Sequence, residues 1–234
     1  SDIIIKRLIG YFEREGSQSE KQEVYYYAGS VYRDLHDTPQ ALEYFFKSLD
    51  FAQNNKDCDS IMMRNTYSNL NYLEYRVQNY DDAVSMAEKE LSISKQLKTD
   101  CVLPYLHLGS AYLALDSSKQ ARNAFNLAYE QIKTSKDISK HQNSLVYLLC
   151  DYSELGEIQK AKECLSLIEI NPLVDYSAFA CMAFAQYYES SNQNDSATIY
   201  CKRILEDGTD IYNMYDAAKL LYRIGKKTGN REEA

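Results

Sequence analysis

The chain has no tryptophan, and only 8 glycines and 3 prolines interrupt its 234 residues. So few breakers leave long, lightly interrupted elements, which helices accommodate best. Basic residues are outnumbered, 26 against 34 acidic, for a net charge of -8 and a pI near 5.0. That balance argues against a nucleic-acid surface in this segment, because phosphate binding rests on clustered Lys and Arg. Apolar runs such as 178–185 fall well short of the ~20 residues of a membrane helix, and no signal peptide opens the chain. The 6 cysteines include no C-x-x-C pair, so zinc and thioredoxin-like chemistry have no support. They read as small buried hydrophobes in reducing surroundings, which favours the cytoplasm, with an export signal outside this segment as the alternative. Cys150 is the one thiol expected near a groove. G-x-S-x-G, H-E-x-x-H and phosphate-cradling glycine loops are all missing. His36, His107 and His141 fall in different parts of the chain, away from an evident nucleophile. Neither an enzyme nor a cofactor is expected.

What is present is 45% apolar and 26% charged residues, an ordinary globular balance rather than a disordered one, with 22 tyrosines. Tyrosine at fixed offsets invites a search for internal repeats. An alanine that follows a turn and opens an apolar helix face recurs at Ala41, Ala83, Ala121, Ala161, Ala197 and Ala234, at separations of 42, 38, 40, 36 and 37 residues. Nine residues before these anchors stand Tyr32, Glu74, Tyr112, Tyr152, Tyr188 and Gly225. Twelve before stand Gly29, Asn71, Gly109, Leu149, Ala185 and Tyr222, of which three are Gly or Ala, small enough to let two helices approach, and three are not. Thirteen before, every residue is apolar: Ala28, Leu70, Leu108, Leu148, Phe184 and Leu221. Short polar links separate the paired helices, with Thr38 as an expected N-cap before Pro39, and Asp195 or Ser196 before Ala197. Asn171-Pro172 and Asp207-Gly208 read as stops. Asp81-Asp82 and Glu232-Glu233 sit at helix starts, where negative charge suits the macrodipole. Asp2 to Glu15 reads as an amphipathic helix with Ile4, Leu8, Tyr11 and Phe12 on one side.

This pattern resembles the tetratricopeptide repeat family. Tyr25, Ala28, Gly29, Tyr32, Ala41, Phe45 and Ser48 match its motif, as do Tyr105, Leu108, Gly109, Tyr112, Ala121, Phe125 and Ala128. The resemblance implies an all-α, right-handed α-α superhelix of helix hairpins over 1–234. An N-terminal helix at 1–21 would precede repeats near 22–55, 64–98, 102–135, 142–175, 178–208 and a truncated one at 215–234. The separations exceed the family's period of about 34, as in the long-helix arrays of some bacterial transcription regulators and sensor kinases. The opening of a sixth unit at GNREEA fits a segment cut from a longer polypeptide.

The resemblance also implies that first helices line a concave face. Carried over by position, that face holds Glu23, Tyr26, Tyr27, Ser30, Arg33 and Asp34, then Asn65, Ser68, Asn69, Tyr72, Tyr75 and Arg76. His107 and Ser110, Asn143 and Tyr147, and Gln186 and Glu189 follow from the later units. Tyr and Arg are enriched at binding hot spots, and Asn pairs with peptide backbone. The expected peptide-binding residues are Tyr26, Arg33, Asn69, Tyr72, Tyr75, Arg76, His107 and Tyr147. The alternative is that these tyrosines pack between helices and that Arg33 and Arg76 form local salt bridges with Asp34 or Glu74. Family members that clamp a terminal carboxylate use Lys, Asn and Arg where this chain has Tyr26, Ser30, Asn69, Leu103 and His107. Only Asn69 agrees, so that clamp is not expected. The implied function is a non-enzymatic scaffold for a protein or peptide, without nucleic acid or membrane insertion. A sensory segment of a larger regulator and self-association through terminal repeats are the alternatives.

Overall fold

In a computed structural model of the chain, the described residues are 2–53, 55–169 and 177–229. Among them are twelve α-helices and no strand. They are α1 (Asp2–Glu15), α2 (Gln18–Asp34), α3 (Thr38–Gln53), α4 (Ser60–Arg76), α5 (Tyr80–Gln96), α6 (Val102–Ala114) and α7 (Ser118–Thr134), followed by α8 (Gln142–Glu154), α9 (Ile158–Glu169), α10 (Ala178–Ser190), α11 (Asn194–Asp207) and α12 (Ile211–Thr228). This is the expected all-α array of tetratricopeptide-like hairpins. The chain divides into two compact units, 1–124 and 125–234, with the division inside α7. Ala234, Glu232-Glu233 and Asn171-Pro172 lie outside the described residues.

The alanine anchors explain the hairpins. Ala41, Ala83, Ala121, Ala161 and Ala197 are all fully buried. Before each, the turn passes once through left-handed backbone, at His36, Gln78, Asp116, Gly156 and Asn192. The next N–H then donates to a carbonyl five residues back: Asp37 to Tyr32 and Asn79 to Glu74 at 2.9 Å, and Ser117 to Tyr112, Glu157 to Tyr152 and Gln193 to Tyr188 at 2.8 Å. These acceptors are the residues nine before the anchors. Helix C-termini close in this way because their last carbonyls have no partner of their own.

The tyrosines at that position also carry packing. Tyr32 stacks on Tyr44 with ring centroids 5.2 Å apart, Tyr188 stacks on Tyr200 at 5.7 Å, and Tyr152 meets Phe125 edge-on at 6.2 Å. Each pair joins a first helix to a second helix. The tyrosines of these pairs thus serve the core, and the Tyr152 hydroxyl donates to Asn126 Oδ1 at 2.9 Å. In the first unit Tyr25, Tyr32, Phe45, Leu70 and Ile93 belong to one buried cluster. In the second, Cys181, Cys201, Ala217, Leu220 and Ile224 form another.

Four local expectations change. α1 has the expected bounds, but it buries Ile5 and Ile9 and packs Phe12, leaving Ile4, Leu8 and Tyr11 exposed. α2 begins at Gln18, because Ser17 and Glu20 form a reciprocal capping box that satisfies two orphan donors. The cap of α3 is Asp37, whose Oδ1 accepts the Gln40 N–H at 3.2 Å, so Thr38 is already helical. α11 starts at Asn194 after Gln193, with no side-chain cap bond from it. Asp81 and Asp82 do lie in the first turn of α5.

Candidate functional site

In the first unit, α2, α4 and α6 are the first helices of successive hairpins. Together with the turn after α2 they line a recess of about 490 Å³ formed by Arg33, Asp34, His36, Ser68, Asn69, Tyr72 and His107. Four of the eight residues expected at a binding face converge here: Arg33, Asn69, Tyr72 and His107. Nearly every lining side chain is polar, as suits a site that recognises hydrogen-bonding groups rather than an apolar guest.

Arg33 is held by two neighbours. Its Nε and Nη2 donate to Asp34 Oδ1 at 2.9 and 2.8 Å, and its Nη1 donates to Asn69 Oδ1. Asn69 in turn donates through Nδ2 to the Asn65 carbonyl at 2.8 Å. The guanidinium is therefore fixed across α2 and α4 before any ligand arrives, which lowers the ordering cost of binding. The Arg33–Asp34 salt bridge is present, as the alternative reading expected, but Asp34 is exposed and the pair adds little stability.

Tyr72 is 47% exposed, a large amphipathic surface at the recess. Arg76 lies over its ring at 5.8 Å and donates to its hydroxyl at 3.4 Å. Tyr75 packs against Tyr80 at 5.3 Å and does not line the recess. Tyr26 is half-buried, edge-on to Phe45 at 5.9 Å and to Tyr27 at 5.5 Å, so its ring serves the core.

His107 brings in a residue the concave-face register does not contain. Its Nδ1 lies 2.8 Å from Oε2 of Glu90, a buried carboxylate on α5. Second helices were not expected to reach the site. The available signal was an acidic residue at a position of α5 that buries Met86, Ala87 and Ile93 around it.

In the second unit, the inward positions are tied to their own neighbours. Tyr147 is half exposed and packs on Phe179 at 4.6 Å. Cys150 donates to Gln186 Oε1 at 2.8 Å. Its thiol is pushed up by burial first, then by the carboxylates of Asp151, Glu154 and Asp216, so it is not the activated thiolate a reactive cysteine requires. Glu189 is buried between Arg223, at 3.3 Å, and Lys227, at 2.6 Å. All six cysteines are unbridged, and Cys101, Cys164, Cys181 and Cys201 are buried. Among the described residues there is no cluster of three or more His, Cys, Asp or Glu side chains suited to a metal ion. No described helix is long and apolar enough to cross a membrane.

No protein-family model and no curated protein sequence matches the chain. Solved structures do match its fold. BtubC (BKLC) from P. vanneervenii superposes with a TM-score of 0.65 at 15% identity, over 88% of this chain and 88% of that one. A tetratricopeptide repeat protein from Parabacteroides merdae gives 0.58 at 17% identity, over 92% and 77%. MamA protein gives 0.51 at 23% identity, over 80% and 91%. At such identities the likeness is one of fold, shared with tetratricopeptide repeat arrays.

Proposed function

We propose, from a fold shared with tetratricopeptide repeat structures, that this chain is a non-enzymatic scaffold binding a peptide or protein segment at the recess of its first unit. Arg33, Asn69, Tyr72 and His107 make the central contacts, with Arg76 bracing Tyr72. Tyr26 and Tyr75 flank the site, and Tyr147 is a separate contact on the second unit. The observation that carries this reading is the Arg33 guanidinium, fixed by Asp34 and Asn69 beside an exposed tyrosine ring. A preset charged donor beside an aromatic face is the composition of a protein hot spot.

The test is affinity capture from cells of the source organism with the wild-type chain and with Tyr72→Ala plus Arg76→Ala. A partner retained by the wild type and lost by the double variant, at unchanged helical content, supports the recess. Equal retention of every partner by both chains contradicts it.

A second reading, self-association, is favoured by two exposed apolar stripes: Ile4, Leu8 and Tyr11 on α1, and Ile211, Tyr215 and Tyr222 on α12. Contiguous exposed apolar surface marks interaction sites. Light scattering across a concentration series decides it: growth in mass with concentration supports association, and a constant monomer mass dismisses it.

A further inference from the structure

We infer that His107, oriented by Glu90, is the specificity-determining residue of the recess and selects a ligand side chain that donates an N–H (an amide, guanidinium or ammonium) over a carboxylate. The inference rests on the recess being the binding site. It begins with the two nitrogens of one ring. In a neutral imidazole one nitrogen carries the proton and the other a lone pair, and the hydrogen bond made by one decides the role of the other. Nδ1 of His107 is 2.8 Å from Oε2 of Glu90, which is 2% exposed. An ionised carboxylate only accepts, so in the neutral ring it takes the Nδ1–H and leaves Nε2 as an acceptor. A buried carboxylate also needs that donor, because its unpaired burial is costly, so the pair reinforces the tautomer from both sides.

The Asp34 carboxylate agrees with this polarity. Asp34 uses Oδ1 for Arg33 and presents an exposed second oxygen on the recess wall. Arg33 and Asp34 offset each other in charge; Glu90 lies behind His107, outside the lining, and Arg76 also lies outside it, on the Tyr72 ring. A ligand carboxylate entering here would face the lone pair of Nε2 and the Asp34 carboxylate. A donor would satisfy both. The chain's net charge of -8 favours the approach of cationic segments over acidic ones.

Two measurements on the full chain test this. Long-range proton–nitrogen correlation spectra of histidine-labelled protein in mildly alkaline buffer, assigned with His107→Gln, report which ring nitrogen is protonated. The expected pattern is a proton on Nδ1 and a lone pair on Nε2. A proton on Nε2, alone or with one on Nδ1, overturns the inference. The second uses an array of short acetylated and amidated peptides with one defined central residue in randomised flanks. Wild type should retain central Asn, Gln, Lys or Arg over Asp or Glu by on the order of tenfold, the scale of one donor–acceptor mismatch. Glu90→Leu should erase that preference, and His107→Phe, which removes the Nε2 acceptor itself, serves if the leucine variant does not fold. A preference that survives both substitutions comes from bulk charge and overturns the role of His107. Equal or stronger retention of Asp and Glu also overturns it, and the recess itself still stands if Tyr72→Ala plus Arg76→Ala abolishes retention. If wild type retains no peptide, the recess reading fails together with the inference.

Discussion

The side-chain amide of Asn71 donates to the carbonyl of Ala83 at 2.8 Å, from α4 across to the anchor alanine of α5. The equivalent residue in the preceding hairpin is Gly29, where an added Cβ would stand 2.6 Å from Cδ1 of Phe45. One repeat position thus solves close helix contact in two ways, by removing the side chain or by making it bond the opposite backbone.

Asn71→Ala should lower stability by about 1–3 kcal/mol, because a buried hydrogen bond is lost and a void is left. Urea unfolding followed by circular dichroism measures it, and an unchanged midpoint would refute the bond's contribution.

Gly29→Ala should also destabilise, by about 1–3 kcal/mol of overpacking, because the atom it meets belongs to a fully buried ring. Combining it with Phe45→Leu should recover part of that loss, which a double-mutant cycle reads as coupling. Strict additivity would show that the two residues do not press on each other.

Gln78→Gly should stabilise the protein by up to about 1 kcal/mol. Residue 78 sits at φ 64, left-handed backbone that costs a residue with a Cβ and suits glycine. The larger freedom of glycine in the unfolded chain opposes part of that gain. A lower melting temperature for the variant would contradict the account of the turn.

Asp151 supplies a pH dependence. Its Oδ2 is buried without a hydrogen-bond partner, and burial first, then the charge of Glu154, raises its pKa well above the ordinary 3.8. The folded state therefore holds a proton that the unfolded state releases. Stability from this group is complete below about pH 3.8 and is lost as pH rises through the elevated folded value. Asp151→Asn should be more stable than wild type at neutral pH, with the advantage shrinking as the pH is lowered toward that ordinary value. Parallel stability–pH curves for the two proteins would refute this.

The fold was legible because its signals are local and repeated. An alanine that must be fully buried and a tyrosine nine residues before it recur in one chain, and both follow from hairpin geometry. The turn residues were not legible, since Gly156 is the lone glycine among five left-handed positions and His36, Gln78, Asp116 and Asn192 carry no common mark. On α1, two apolar stripes one residue apart compete, and contact with α2 and its neighbours selected Ile5 and Ile9 over Ile4 and Leu8.

The site was half legible. Arg33, Asn69, Tyr72 and His107 could be placed by repeat register, which fixes the face a residue occupies. Register does not fix side-chain direction, so Tyr26 turned into the core and Tyr75 onto Tyr80. Glu90 escaped notice because it lies on a second helix, where an acidic residue ordinarily points to solvent.

The central claim is that a partner occupies the recess, and site-directed photo-crosslinking in the native host tests it most directly. A photoreactive side chain would replace Ser68 on the recess wall in one full-length protein, and exposed Ile199 on α11 in another. The account predicts a discrete adduct from position 68 that disappears with Tyr72→Ala plus Arg76→Ala, and none from position 199. An adduct from 199 without one from 68, or an adduct at 68 that survives the double variant, would contradict it.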